Sequence, residues 1–441
     1  MTDTNNTGRG TAKELLFLLF LFVLLVGWAV ALPYNHAPDE EIRFAIPRYI
    51  YEHGTLPHGG DEQIRNPIWG SSYGFYPVLS YMISALFMKI ASVFSADAQV
   101  LLTAARMTSV LFTVGTAFFV IRIGKKVFPE CGKWLLVILT ALLPGALFIG
   151  SYVNNDAMAI FSAAWMVYIW IKGIETEWNY KTCAQLGAAM SICLLSYYNA
   201  YGFLVCSFLL FVTTVLLCQK KQWDWKQLFQ KGIFIAALVV LLAGWWFVRN
   251  YIIYDGDFLG MRTSNQYAEQ YAQSVYKPSR HETPFTSGQS FFTVFRSWAP
   301  TVFYGFVGVF GYMEIFLPKW IYIFYLLLFV TGMIGCLMNI KKLFALRENG
   351  KWRAKGFFHW VMFVAIVIPN LLNLYYSFLV DYQPQGRYSM PMLVPFMYFA
   401  AVGLQTIADK FIKNEKIQKV VFLITALLIL GIAGYSFLQI R

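Results

Sequence analysis

The sequence predicts an all-α fold: a polytopic transmembrane helix bundle of about eleven spans, with interfacial helices in two long outer loops. Three observations predict it. The 441 residues are 58% hydrophobic and only 13% charged, where a soluble domain carries about 25% charged residues. Apolar runs close to the length of a bilayer-spanning helix recur along the whole chain. Basic residues gather in alternate connections, as the positive-inside rule requires.

The first run, Leu15 to Leu32, follows a polar start containing Arg9 and Lys13. Ala29-Val30-Ala31 resembles a signal-peptidase site. The run exceeds the roughly 7–15 residues of a signal h-region, so an uncleaved first helix is expected. Further spans read as 100–123, 134–150, 157–171, 183–198, 202–218, 232–250, 319–339, 357–378, 389–408 and 419–438.

An N-terminus on the cytoplasmic side sorts the connections. Gly124-Lys125-Lys126, Lys172 to Lys181, Gln219-Lys220-Lys221 to Lys231, Lys341 to Lys355 and Lys410 to Lys419 become inner, and every one is basic. The short outer connections are Ser151 to Asp156, Asn199 to Tyr201 and Asp381 to Tyr388, where Arg387 alone is basic. Two long outer segments remain, 33–99 and 251–318, within a single domain spanning 1–441. Their apolar stretches, Tyr76 to Phe94 and Phe291 to Phe316, are expected to lie along the outer interface, because counting either alone as a span would put the lysine-rich connections outside. Lys89, and Arg296 with Trp298, suit that position.

The net charge of +12 reflects the basic inner connections and not a nucleic-acid surface. Six cysteines without a CxxC pair give no metal or redox signature and read as small apolar fillers.

The topology gathers four polar clusters on the outer face. Pro38-Asp39-Glu40-Glu41 with Arg43 follows the first span, and Ser151-Tyr152-Val153-Asn154-Asn155-Asp156 joins two spans. Arg249-Asn250 leads into Asp255-Gly256-Asp257, and the last cluster is Asp381-Tyr382-Gln383-Pro384-Gln385-Gly386-Arg387-Tyr388. Each has an ordinary reading: a solvated acidic loop, an Asx-rich turn, or an arginine snorkelling to lipid phosphates. Arg387 is the exception to the charge rule, and a guanidinium suits bidentate binding of phosphate. Together the clusters fit transfer of a sugar from a lipid-linked phosphate. Asp39 would take the acceptor hydroxyl's proton, and arginine would stabilise the departing phosphate.

At these residues the sequence resembles the GT-C superfamily, in which an acidic motif after the first transmembrane helix supplies the catalytic carboxylate. Protein O-mannosyltransferases and the lipid A aminoarabinose transferase are similar in that layout. The chain is more similar to the DUF2142 family of bacterial polytopic membrane proteins. That family's Pro-Pro-Asp-Glu motif is matched by Ala37-Pro38-Asp39-Glu40, and its Gln-Gly-Arg-Tyr motif by Gln385-Gly386-Arg387-Tyr388. Its Arg-Asn…Tyr-Gly-Asp segment resembles Arg249-Asn250 with Tyr254-Asp255-Gly256-Asp257, one residue inserted. Its histidine-aromatic pair is replaced here by Arg43-Phe44.

The resemblance implies an inverting, polyprenyl-phosphate-sugar-dependent glycosyltransferase at the outer face of a bacterial cytoplasmic membrane. Undecaprenyl phosphate is the carrier it implies, and an envelope glycan or glycolipid the acceptor. Asp39 and Glu40 would be the catalytic carboxylates. Arg387, Arg249, Asn250, Asp156, Tyr388, Gln385 and Arg43 would bind substrate. No essential cofactor is expected, with a divalent ion on Asp39, Glu40 and Asp156 as the alternative. The rival readings are a lipid-linked sugar flippase, a polysaccharide polymerase or ligase, and a non-enzymatic assembly partner. No paired broken helices of the transporter kind stand out.

Overall fold

The computed structural model describes residues 3–219 and 223–441, with side chains from residue 10 onward, so Arg9's side chain and the Lys220-Lys221 pair of one inner connection lie outside the described residues. The helices are α1 Asp3–Ala31, α2 Glu40–His53, α3 Leu79–Ala91, α4 Ala98–Val127, α5 Glu130–Ala141, α6 Pro144–Ile149, α7 Asp156–Glu175, α8 Tyr180–Leu194 and α9 Gly202–Thr213. They continue as α10 Trp225–Ile253, α11 Met261–Tyr271, α12 Phe291–Gly308, α13 Lys319–Met338, α14 Ile340–Phe344, α15 Ala354–Leu379, α16 Leu393–Phe411 and α17 Glu415–Gln439. Two tight hairpins are the strands among the described residues. Val309 pairs with Phe316 and Phe310 with Ile315 in one; Arg347 pairs with Trp352 and Glu348 with Lys351 in the other.

Among the described residues, nine helical segments are long and apolar enough to cross a membrane. They correspond to nine of the eleven expected spans. The other two are shorter helices. The 134–150 run is divided into α5 and α6, because Pro144 opens α6 and a residue preceding proline is pushed out of the α region. The 183–198 run yields α8, whose 15 residues rise about 22 Å. The stretch expected to be helical from Phe291 to Phe316 is helical only to Gly308 and then turns back through the first hairpin.

One large apolar core joins these helices. Leu21, Leu25, Trp28 and Ala29 of α1 are fully buried in it, with Val110 and Val120 of α4 and Ala163 and Val167 of α7. The first helix is therefore an integral core element. Its C-terminal carbonyls, which an α-helix leaves without partners, are held by one side chain of α4: Arg106 Nη1 donates to Ala29 O at 2.7 Å and Leu32 O at 2.6 Å. A second, smaller core packs Ile46 of α2, Tyr81 and Met88 of α3, Leu102 of α4 and Trp246 of α10.

Candidate active site

Asp39 stands at the junction of the first long loop and α2. It is the residue preceding the helix, in the left-handed region at φ 63°, and its side chain makes no cap hydrogen bond with α2. A non-glycine residue there is uncommon, and such positions concentrate at functional sites. Instead of capping the helix, the carboxylate meets an arginine from the far end of the chain. Arg387 Nη2 donates to Asp39 Oδ2 at 2.5 Å and Nη1 to Pro38 O at 3.3 Å. The Tyr73 hydroxyl donates to the same Oδ2 at 3.0 Å.

Arg387 lies in the short 3-10 segment Gly386–Met392 that leads into α16. The preceding glycine explains how the segment reaches the site. A Cβ on Gly386 would lie 2.0 Å from Phe306 N and 2.1 Å from Gly305 C, so only glycine lets this backbone pass against α12. Arg387 is steadied by its neighbour: Nη2 also donates to the Tyr388 hydroxyl at 3.2 Å, which donates to Gln383 Oε1 at 2.7 Å. Arg387 Nε and Gln385 Oε1 are buried and have no hydrogen-bond partner among the described residues. Both residues line a cavity of about 20 Å³ together with Pro38, Tyr152 and Gly386, room for about one water molecule.

Two further ion pairs flank this one. Arg43 of α2 is fully buried and reaches the 151–156 turn, donating to Asn155 Oδ1 at 2.7 Å and Asp156 Oδ2 at 3.0 Å. It also lies over the Tyr73 ring, 4.4 Å from its centroid. Glu40 points away from Asp39, as consecutive residues at a helix start must. It binds Arg106 through both oxygens, with Nε–Oε1 at 2.7 Å and Nη2–Oε2 at 2.6 Å, and accepts from Val153 N at 3.1 Å.

Electrostatics sets the state of Asp39. Burial alone would raise its pKa. The charges of Arg387 and Arg43, with the hydrogen bonds from Arg387 and Tyr73, outweigh that and hold the carboxyl below its usual range. Burial raises the Tyr73 hydroxyl well above its ordinary value, which keeps it a donor.

Of the residues expected at the site, Asp39, Arg387, Tyr388, Arg43 and Asp156 are brought into one connected network, with Gln385 at its edge. Arg249 and Asn250 are not joined to it. Arg249 Nη2 donates to Pro57 O at 2.6 Å and its guanidinium lies over Trp246, while Asn250 Nδ2 donates to Phe258 O at 3.3 Å. With the Tyr254 hydroxyl accepting from Gly59 N at 3.0 Å, that segment ties the second long loop to the first. Arg106 and Tyr73 went unmarked in the sequence. An arginine inside the apolar 100–123 run was a usable signal, since an intramembrane charge asks for a partner; a single outer tyrosine was not.

The donor set does not fit a divalent ion. Asp39, Glu40 and Asp156 each hold an arginine, and among the described residues no three His, Cys, Asp or Glu side chains gather as a ligand set.

Among solved structures, the chain is similar to the oligosaccharyltransferase of Archaeoglobus fulgidus tethered with an acceptor peptide, at 13% identity and TM-score 0.57, over 97% of this chain and 54% of that one. It is also similar to archaeal AglB from the same organism in complex with an inhibitory peptide and a dolichol-phosphate, at 12% identity and TM-score 0.55, over 98% and 55%. The chain thus spans about half the length of the oligosaccharyltransferases it matches. ArnT from Cupriavidus metallidurans bound to undecaprenyl phosphate aligns over 89% of this chain and 78% of its own, at 14% identity and TM-score 0.43. The fold is GT-C-like. A comparison with curated proteins found no match. A family model described as "Predicted membrane protein (DUF2142)" matches residues 61–397, with Arg387 inside the match and Asp39 before it.

Proposed function

The chain belongs to the DUF2142 family of predicted membrane proteins, and we propose that it transfers a sugar from a polyprenyl phosphate to an acceptor hydroxyl at the outer face of a bacterial cytoplasmic membrane. The observation that carries this reading is the Asp39–Arg387 pair: a partly solvent-reaching carboxylate against a buried guanidinium. The lysine and arginine bias of the short connections supports an outer-face location for that pair.

In the reaction the acceptor oxygen attacks the anomeric carbon while the bond from that carbon to the phosphate oxygen breaks. The acceptor's proton passes to the Asp39 carboxylate. The bonding electron pair leaves with the phosphate, whose added charge Arg387 stabilises. Such a leaving group needs no second carboxyl to protonate it, unlike a glycosidic oxygen, and a single displacement inverts the anomeric centre. Arg43 and Asp156 hold Tyr73 and the 151–156 turn against the base. Glu40, committed on both oxygens to Arg106, fixes the backbone of the motif and takes no proton. Undecaprenyl phosphate is the carrier, and an envelope glycan or glycolipid the acceptor, that this reading favours; the dolichol-phosphate in the similar AglB structure supports a lipid-phosphate donor site in this fold.

The test is turnover of a panel of polyprenyl-phosphate sugars by purified protein, read by mass spectrometry of released carrier and glycosylated product. Asp39→Asn should lower turnover by about 100-fold or more while leaving the folded protein intact. Equal turnover in both proteins would remove Asp39 from the chemistry.

A further inference from the structure

We infer that Asp39 and the donor's phosphate compete for Arg387, so that the base is released only once a lipid-linked phosphate has taken its place. This rests on the proposed transfer reaction and adds an order of events to it.

The argument begins with charge. Three carboxylates and three arginines make up the site, and each carboxylate holds one arginine: Glu40–Arg106, Asp156–Arg43 and Asp39–Arg387. The network is balanced as it stands. A phosphate entering it meets no surplus cation unless one carboxylate gives up its partner, because an uncompensated charge in a desolvated site is costly.

Burial says which pair yields. Both side chains are 0% exposed in Glu40–Arg106, and 1% and 0% in Asp156–Arg43, whereas Asp39 is 28% exposed against its 7% exposed arginine. Glu40 has two guanidinium contacts and a backbone N–H, and Asp156 is locked beside Asn155. Asp39 has one guanidinium contact, from Nη2, and keeps the Tyr73 hydroxyl as a donor after losing it. Arg387 for its part stays anchored by Pro38 O and Tyr388.

Space points the same way. The cavity beside Arg387 measures about 20 Å³, far short of a sugar phosphate, so a donor entering there must move a side chain. Asp39, 28% exposed, is the charged group among those that cover the guanidinium, and it reaches solvent. Its departure does two things at once: it exposes the cation to the phosphate, and it removes from the carboxylate the charge that most lowers its basicity. Donor binding and activation of the base become one event, and the acceptor is deprotonated only against a loaded donor.

Equilibrium binding of undecaprenyl phosphate to the full chain in nanodiscs separates the alternatives, with undecaprenol as the phosphate-free control and thermal stability measured for every variant. Asp39→Asn should bind the phosphate about tenfold more tightly, a difference of about 1.4 kcal/mol, with undecaprenol binding unchanged. Arg387→Gln should weaken binding about tenfold or more, and in the double variant the gain from Asp39→Asn should vanish. Unchanged or weaker binding by a stably folded Asp39→Asn, with Arg387→Gln still impaired, overturns the competition and leaves the phosphate site standing. Wild-type protein that binds undecaprenyl phosphate no better than undecaprenol overturns both the competition and the donor reading.

Discussion

Arg106 and Glu40 form the most buried ion pair of the site, two guanidinium nitrogens at 2.7 and 2.6 Å from the two carboxylate oxygens with neither side chain exposed. The same guanidinium holds the last carbonyls of α1. This one contact therefore fixes the end of the first helix, the start of α2, and through them the place of Asp39. Removing one partner of such a pair strands a buried charge and costs about 3–5 kcal/mol, whereas replacing both by apolar groups can be close to neutral. Glu40→Leu and Arg106→Leu should each lower the unfolding temperature in detergent sharply, and the double variant should recover part of the loss. A stable Glu40→Leu protein with no turnover would instead make Glu40 a reacting group.

Gly386 makes a second structural demand on the site. A methyl group there would stand 2.0 Å from Phe306 N and 2.1 Å from Gly305 C, so any side chain must push the 386–392 segment off α12. Overpacking of this kind costs about 1–3 kcal/mol. The displaced backbone also carries Arg387 away from Asp39. Gly386→Ala should thus raise the KM for a polyprenyl-phosphate sugar more than it lowers thermal stability. Unchanged donor kinetics would show that Arg387 does not need this close approach.

The pH dependence follows from the lowered Asp39 carboxyl. Its ordinary value is 3.8, and burial, which would raise it, loses to Arg387, Arg43 and Tyr73. A carboxyl lowered on folding contributes stability that is present above about pH 3.8 and lost as pH falls through the lower folded value. In kinetics, kcat/KM reports the free enzyme and kcat the loaded one. The acid limb of kcat/KM should fall below that ordinary value. The limb of kcat should lie at higher pH, because the donor's phosphate has taken Asp39's place on Arg387. Coincident limbs would mean that Asp39 keeps its arginine throughout turnover.

How much of this the sequence carried depended on the kind of signal. Long apolar runs are read by length alone, and nine of them reappear as helices able to cross a membrane. The division of the 134–150 run was written in Leu143-Pro144, yet a hydropathy reading passes over it. Arg387 stood out because it broke the charge rule, and the structure joins it to Asp39 across 348 residues of chain. Arg249 was marked by its Arg-Asn motif at the end of a span but binds Pro57 and Trp246, since a motif match does not show which neighbours a side chain meets in space. Arg106 was hidden by its apolar surroundings, although those surroundings were themselves the reason to expect a partner.

Orientation rests on the lysine and arginine bias of the short connections, and single exposed cysteines can test it. Ser287 lies in the second long loop and Lys413 between α16 and α17, and both are exposed. The native cysteines would first be replaced; Cys183, Cys193 and Cys206 are buried, while Cys131, Cys218 and Cys336 are partly accessible. A membrane-impermeant maleimide added to intact bacterial cells should label Ser287→Cys and spare Lys413→Cys, which should react only after permeabilisation. The reverse pattern would place Asp39 and Arg387 on the cytoplasmic side, where the carrier's phosphate would have to be approached from within the cell. Labelling of both positions in intact cells would put an odd number of crossings between them out of the question, and with it the division of loops from which the outer-face site was argued.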